Sequence, residues 1–173
     1  TNVINIKVTA QNGKVRNYTV NIARPNSQGG GDANMNTEYA VDSENGIVSG
    51  IASGISLSEI SGKIAVANGG YVKITDKDGN PKSDKCVTGD VVNIYNSANV
   101  KVSSYTVSVE GDVNGDGTVD ILDIVKIKND MLGRSELSGA YKRAADIDNN
   151  GAIDIIDIVK TKNIILNNYQ DCW

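Results

Sequence analysis

Asp112-Val-Asn-Gly-Asp-Gly-Thr-Val-Asp-Ile-Leu-Asp123 recurs 34 residues later as Asp146-Ile-Asp-Asn-Asn-Gly-Ala-Ile-Asp-Ile-Ile-Asp157. The likeness runs on, with Ile124-Val-Lys-Ile-Lys-Asn129 matched by Ile158-Val-Lys-Thr-Lys-Asn163. Each copy reads as a polar loop leading into an apolar helix. Neither is large enough to bury a core by itself, so the two must share one.

The polar residues fall where a hard cation wants them. Ca²⁺ takes six to eight oxygens, and a 12-residue loop supplies them from positions 1, 3, 5, 7, 9 and 12. In the first loop these are Asp112, Asn114, Asp116, Thr118, Asp120 and Asp123; in the second, Asp146, Asp148, Asn150, Ala152, Asp154 and Asp157. Position 7 ligates through its backbone carbonyl, so Thr118 and Ala152 can differ freely. Position 9 often ligates through a water, which makes Asp120 and Asp154 outer ligands. Gly117 and Gly151 occupy position 6, where the chain turns sharply. A turn that binds nothing can share this composition, but two loops in matching register favour two bound Ca²⁺. Mg²⁺ is disfavoured because it seldom uses an all-protein cage. Position 12 is Asp where an ordinary EF-hand has a bidentate Glu, so the loop must close more tightly. The residues before the first loop, 105–110, alternate like a strand, so no helix enters it.

At 100° per residue the apolar arc of the first helix spans roughly 220°, far more than one core contact requires. Ile124, Ile127 and Met131, with Ile158 and Ile165, are assigned to the internal core. Left over is a stripe of Ile121, Leu122, Val125 and Leu132 on one helix and Ile155, Ile156, Val159 and Leu166 on the other. Lys128, Asn129, Lys162 and Asn163 interrupt its outer part. A stripe without an internal partner marks a protein interaction site. The alternative is that residues 133–145 fold over it, although they are short and mostly polar.

The paired segments Gly111-Asp-Val-Asn-Gly-Asp-Gly-Thr-Val-Asp120 and Ala145-Asp-Ile-Asp-Asn-Asn-Gly-Ala-Ile-Asp154, each followed by a helix, resemble a dockerin over about residues 111–167. Dockerins are calcium-dependent modules that attach proteins to cohesins on bacterial scaffoldins. The resemblance implies two calcium-loop/helix units with a short helix between them. It also implies cohesin contacts from loop positions 10 and 11, which are Ile121, Leu122, Ile155 and Ile156, and from the outward helix face. Many dockerins carry Ser-Thr at those positions and Lys-Arg further along the helix. Aliphatic residues and Lys-Asn pairs stand there in this chain, implying a more apolar interface. Because the halves are nearly identical, a rotation of about 180° would present the same side chains to one partner surface, and either helix could dominate.

The expected fold class is therefore a mixed, multi-module chain: a C-terminal all-α unit at 111–173 with two EF-hand-like calcium-loop/helix units, after a small, mostly-β module at 37–110. Residues 26–36 are rich in Gly and Asn and read as a linker. Residues 1–25 alternate on both sides of Gln11-Asn-Gly-Lys14, a hairpin with an Asn-Gly turn. They resemble the last strands of a cadherin-like β-sandwich repeat, and a lone hairpin is marginal in water, so they are expected to end a larger, truncated domain. Within 37–110, Ser56-Leu-Ser-Glu59 reads as a capping box opening a helix to about residue 64, and strands are expected at 71–75, 91–95 and 105–109. Asp76-Lys-Asp-Gly-Asn80 looks like half a calcium loop but reads as a hairpin turn. The layout resembles the X-type modules that precede dockerins in clostridial surface proteins, and the abrupt junction Val109-Glu110-Gly111 points to rigid docking.

Composition removes other classes. The chain has no His and a net charge of −4 with scattered basic residues, which argues against catalysis within these residues and against nucleic acid. No apolar run approaches a membrane span. Two cysteines permit one internal pair, Cys86 with Cys172, or free thiols. The expectation is a non-enzymatic adaptor, monomeric when free, whose partner is a cohesin domain of a scaffoldin. The resemblance and the calcium sites place it outside the cell or on the surface of a Gram-positive anaerobe, in service of polysaccharide degradation. Two alternatives stand beside it: a calcium-stabilised structural segment of a surface adhesin, and the C-terminal tail of a glycoside hydrolase.

Overall fold

The computed structural model describes residues 2–9, 15–22 and 35–170. β1 (Asn2–Thr9) and β2 (Val15–Ile22) form an antiparallel two-stranded sheet, with Asn2 opposite Ile22 and Thr9 opposite Val15. This is the expected hairpin; its Asn-Gly turn lies outside the described residues. Met35 and Asn36, expected in the linker, lie in β3 (Met35–Thr37), which pairs with β6 (Ile64–Val66), and Met35 packs on the β core.

Residues 37–109 build a five-stranded sheet in the order β4 (Ala40–Asp42), β5 (Ile47–Ile51), β9 (Lys101–Val109), β8 (Val91–Tyr95), β7 (Tyr71–Thr75). All neighbours are antiparallel except β5 and β9, which run parallel with Val48 opposite Val107. One face carries the core of Val48, Ile51, Val92, Ile94, Val107 and Val109, closed by Ile60 of α1 (Leu57–Gly62). The capping box that starts α1 is formed: the Glu59 amide donates to Ser56 Oγ at 3.2 Å and the Ser56 amide to Glu59 Oε2 at 2.9 Å. The turn at residues 76–80 closes on itself, with the Asp78 and Asn80 amides both donating to Asp76 Oδ1.

Cys86 sits in this core at 1% exposure. Burial, reinforced by the charge of Asp90, pushes its thiol up to about 12, so at neutral pH it is neither nucleophilic nor accessible. Its expected partner Cys172 lies outside the described residues. In a Cys172→Ser chain, iodoacetamide at pH 8 should leave the native mass unchanged and add one adduct only after denaturation. Rapid alkylation of the native chain would contradict the burial.

The last residues of β9, Val107 to Val109, are all buried, although a strand with one wet face would alternate. The reason is α3 (Gly139–Ala145), which packs on β5 and β9 with Ala140 and Ala144 buried. The chain then leaves β9 without a linker. The Glu110 amide donates to Ile51 O at 2.9 Å and the Gly111 amide to Ala144 O at 3.0 Å.

α2 (Ile121–Met131) packs on α4 (Ile155–Gln170). The small core between them is Val113, Ile127 and Ala145 with Leu137, Ile153 and Ile158 against it. Met131, expected inside, is exposed. It occupies the final turn of α2, where Gly133 at φ +64° turns the chain away, and the core interior comes instead from loop residues Val113, Val119 and Ile153. Ile124, Ile158 and Ile165 are half-buried and Ile127 is fully buried. The counterpart of Ile127 in the second copy is Thr161, also fully buried, whose hydroxyl donates to Asp157 O at 2.8 Å.

Candidate functional site

Each loop is wound on carboxylates that collect its own amides. In the first, Asp123 Oδ1 accepts from the Val113 and Asn114 amides, both at 2.9 Å, and Oδ2 from the Asp120 amide at 2.9 Å. In the second, Asp157 Oδ1 accepts from Ile147 at 2.9 Å and Asp148 at 3.4 Å, and Oδ2 from Asp154 at 2.9 Å. Positions 3 and 5 repeat the scheme as successive Asx turns. Asn114 Oδ1 takes the Asp116 amide and Asp116 Oδ1 the Thr118 amide; Asp148 Oδ1 takes Asn150 and Asn150 Oδ1 takes Ala152. Asp120 and Asp154, expected as outer ligands, each hold the start of the following helix: their Oδ1 atoms accept from Leu122 and Ile156 at 2.7 Å. Each therefore commits one oxygen to the helix and keeps one for other work.

Asp112, Asp123 and Asp157 are fully buried. Burial pushes the carboxyls of Asp112 and Asp123 up, against the downward pull of the amides they accept from. Buried anions of this kind call for a counter-charge. In the second loop, Asp146, Asp148 and Asp157 bring one oxygen each within 4.8 Å of the others, close enough to share an ion. In the first loop, position 3 is Asn114, a neutral oxygen donor. The donor set is hard oxygen throughout, which suits Ca²⁺.

The loops deliver the helices with their apolar stripe outward. Ile121, Leu122, Val125, Leu132, Ile155, Ile156, Val159 and Leu166 are all exposed. Residues 133–145 do not cover them, since α3 is spent on β5 and β9, and residues 37–110 leave them exposed as well. Lys128, Lys162 and Asn163 are exposed and Asn129 is half-buried, where its carbonyl accepts from Arg134 at 2.9 Å. One contact was not legible in the sequence: the Thr88 amide, from the β region, donates to Asp112 Oδ2 at 2.9 Å. Its partners are 24 residues apart, and no local pattern signals it.

Residues 110–166 match the family model described as the dockerin type I domain. The match takes in both loops, all of α2 and most of α4, so a dockerin module follows the β-rich region. No curated protein and no solved structure matches the chain. No helix among the described residues is long and apolar enough to cross a membrane.

Proposed function

We propose that residues 111–167 are a calcium-dependent dockerin that binds a cohesin on a scaffoldin and so anchors the polypeptide carrying it in a cellulosome-like extracellular complex that degrades polysaccharides. The observation that carries this reading is the eight-residue aliphatic stripe, left exposed within the matched segment and paired position by position across the two copies. On this reading the loops and helices are two EF-hand-like units holding two Ca²⁺. Asp112, Asn114, Asp116, Thr118, Asp120 and Asp123 would hold one ion, and Asp146, Asp148, Asn150, Ala152, Asp154 and Asp157 the other. Calcium would supply the positive charge that the buried carboxylates otherwise lack.

The protein's own part is geometric. Asp123 and Asp157 tie the far end of each loop to its beginning, while Asp120 and Asp154 start α2 and α4 at a fixed angle to the cage. The helices then hold Ile121, Leu122, Val125 and Leu132 beside Ile155, Ile156, Val159 and Leu166 for a cohesin, with Lys128, Asn129, Lys162 and Asn163 at the rim. The module is a non-catalytic, monomeric adaptor, and the polypeptide it serves could be a glycoside hydrolase. The exposed stripe speaks against a purely structural segment of an adhesin, in which those side chains would be covered.

Calcium titration of the metal-free chain tests the cation reading. Two equivalents should be taken up, with thermal unfolding of the α-helical unit shifted upward; saturation at 100 times Kd stabilises by about 2.7 kcal/mol per site. The raised carboxyls set the sign with pH. In the metal-free chain they favour the fold at low pH, and that contribution is lost as pH rises through their raised values. Calcium competes with those protons, so its stabilising effect should grow as pH rises from the carboxylate range to neutrality. No uptake at neutral pH would remove the reading.

A further inference from the structure

The two loops share left-handed backbone at positions 4 and 6 but differ in their surroundings. Position 4 is Gly115 at φ +76° in the first loop and Asn149 at φ +60° in the second; position 6 is Gly117 at +78° and Gly151 at +86°. A Cβ on Gly115 would lie 2.7 Å from Thr88 O and 3.0 Å from the Tyr141 ring, and one on Gly117 would lie 2.5 Å from Val87 and 3.0 Å from Lys85. A Cβ on Gly151 would meet nothing within 4 Å, and Asn149 is exposed. A side chain at position 4 is thus accepted where the loop is open and refused where the β region presses on it.

The pressing segment is itself held firmly. Thr88 Oγ1 accepts from the Val109 amide at 2.9 Å, Gly89 N donates to Val107 O at 3.0 Å, and Val107 N to Asp90 O at 2.7 Å. Asp90, 2% exposed, takes the Val87 amide and the Lys82 ammonium. From this frame the Thr88 amide donates to Asp112 Oδ2, while the Gly115 amide donates to Oδ1 at 2.8 Å. The equivalent Asp146 carboxylate accepts only from its own loop, through the Asn150 and Gly151 amides, among the hydrogen bonds of the described residues, while its backbone carbonyl accepts from the Arg143 guanidinium at 2.7 Å. Beside the second loop lies a crevice of about 370 Å³ that Asp146, Gly151, Asn45 and Ile47 help to line.

We infer that residues 85–89 cap the first cation loop, so that the two sites are unequal: the first is completed by the docked β region, and a cation bound there fastens the dockerin module to that region. This rests on reading the loops as calcium sites and deepens it. Coupling of this kind is reciprocal, so whatever the docked cap adds to cation affinity, the cation returns to docking.

The full chain, Gly115→Asn and Asn149→Gly decide it by calcium titration calorimetry, with hydrogen exchange at the Thr88 amide as a second readout. Asn is tolerated at positive φ, as Asn149 shows, so the first variant tests the cap more than the backbone. The unchanged chain should show two sites of different affinity and a Thr88 amide whose protection rises with Ca²⁺. Gly115→Asn should weaken one site by about tenfold, equivalent to about 1.4 kcal/mol, and release the Thr88 amide, whereas Asn149→Gly should leave that amide protected and the higher-affinity site within about threefold. Two-site uptake unaltered by Gly115→Asn, or Thr88 exchange indifferent to Ca²⁺ in the unchanged chain, would overturn the cap alone. No uptake by the unchanged chain would overturn the cation reading and the cap with it. Should Gly115→Asn fail to fold, exchange at Thr88 in the unchanged chain, with and without Ca²⁺, still separates a capped loop from an uncapped one.

Discussion

Replacing Leu122 and Val125 together with Asp leaves cohesin binding within about tenfold of the unchanged chain, and adding Ile156→Asp and Val159→Asp abolishes it. The expectation comes from how evenly the stripe is divided. Ile121 and Ile155 are 63% and 61% exposed, Leu122 and Ile156 56% and 48%, Val125 and Val159 45% and 47%, Leu132 and Leu166 54% and 51%. Each half exposes nearly the same aliphatic surface, so on the proposed reading a cohesin that loses one should turn to the other. Fully burying one such side chain is worth about 1.5–3 kcal/mol. Removing the central pair from both halves, and placing carboxylates where water is excluded, therefore costs at least about 4 kcal/mol, a factor of roughly a thousand. Loss of binding with the first pair alone would show that only one orientation is used.

Asp123→Ala should destabilise the α-helical unit more than any change on the helix surface. Its side chain is fully buried and accepts three amides, those of Val113, Asn114 and Asp120. A buried donor left without an acceptor costs about 1–3 kcal/mol; the Val113 donor is buried and the other two are part-buried, so a loss of about 2 kcal/mol or more is expected even in the metal-free chain. With Ca²⁺ present the gap should widen, because the variant also lacks a ligand. Asp157→Ala should behave alike, having the same three kinds of bond. By contrast Thr118→Ala, at an exposed position expected to ligate through its carbonyl, should be nearly silent. Denaturant titration followed by helical circular dichroism, with and without Ca²⁺, separates these cases. An Asp123→Ala chain as stable as the original would mean that the loop is not organised by this carboxylate.

What the sequence disclosed and what it withheld divide by range. The loops were legible as turns because turn chemistry demands Gly, Asn and Asp at fixed offsets within twelve residues. The stripe was legible because Ile121, Leu122 and Val125, and their counterparts 34 residues on, overfill a helical face. Periodicity gives the angle of a side chain around its helix but not how far along the axis the neighbouring helix extends, and so Met131 was misplaced. It is also blind to core residues that sit in loops, such as Val113 and Ile153. Contacts between segments remote in sequence were hidden altogether: the parallel pairing of β5 with β9, the seating of α3 on that pair, and the Thr88–Asp112 bond. The difference between Gly115 and Asn149 in otherwise matching loops was present in the letters, yet acquires meaning only once Thr88 is seen above one of them.

The most direct measurement is retention of the chain on immobilised cohesins from the scaffoldins of its own source organism, in millimolar Ca²⁺ and again after chelation. Retention by at least one cohesin in Ca²⁺, released by chelator and lost in the four-fold Asp variant of the stripe, is the predicted result. Retention that ignores chelation, or no retention by any cohesin while Ca²⁺ is bound, would contradict a dockerin whose cation loops hold an apolar face ready for its partner.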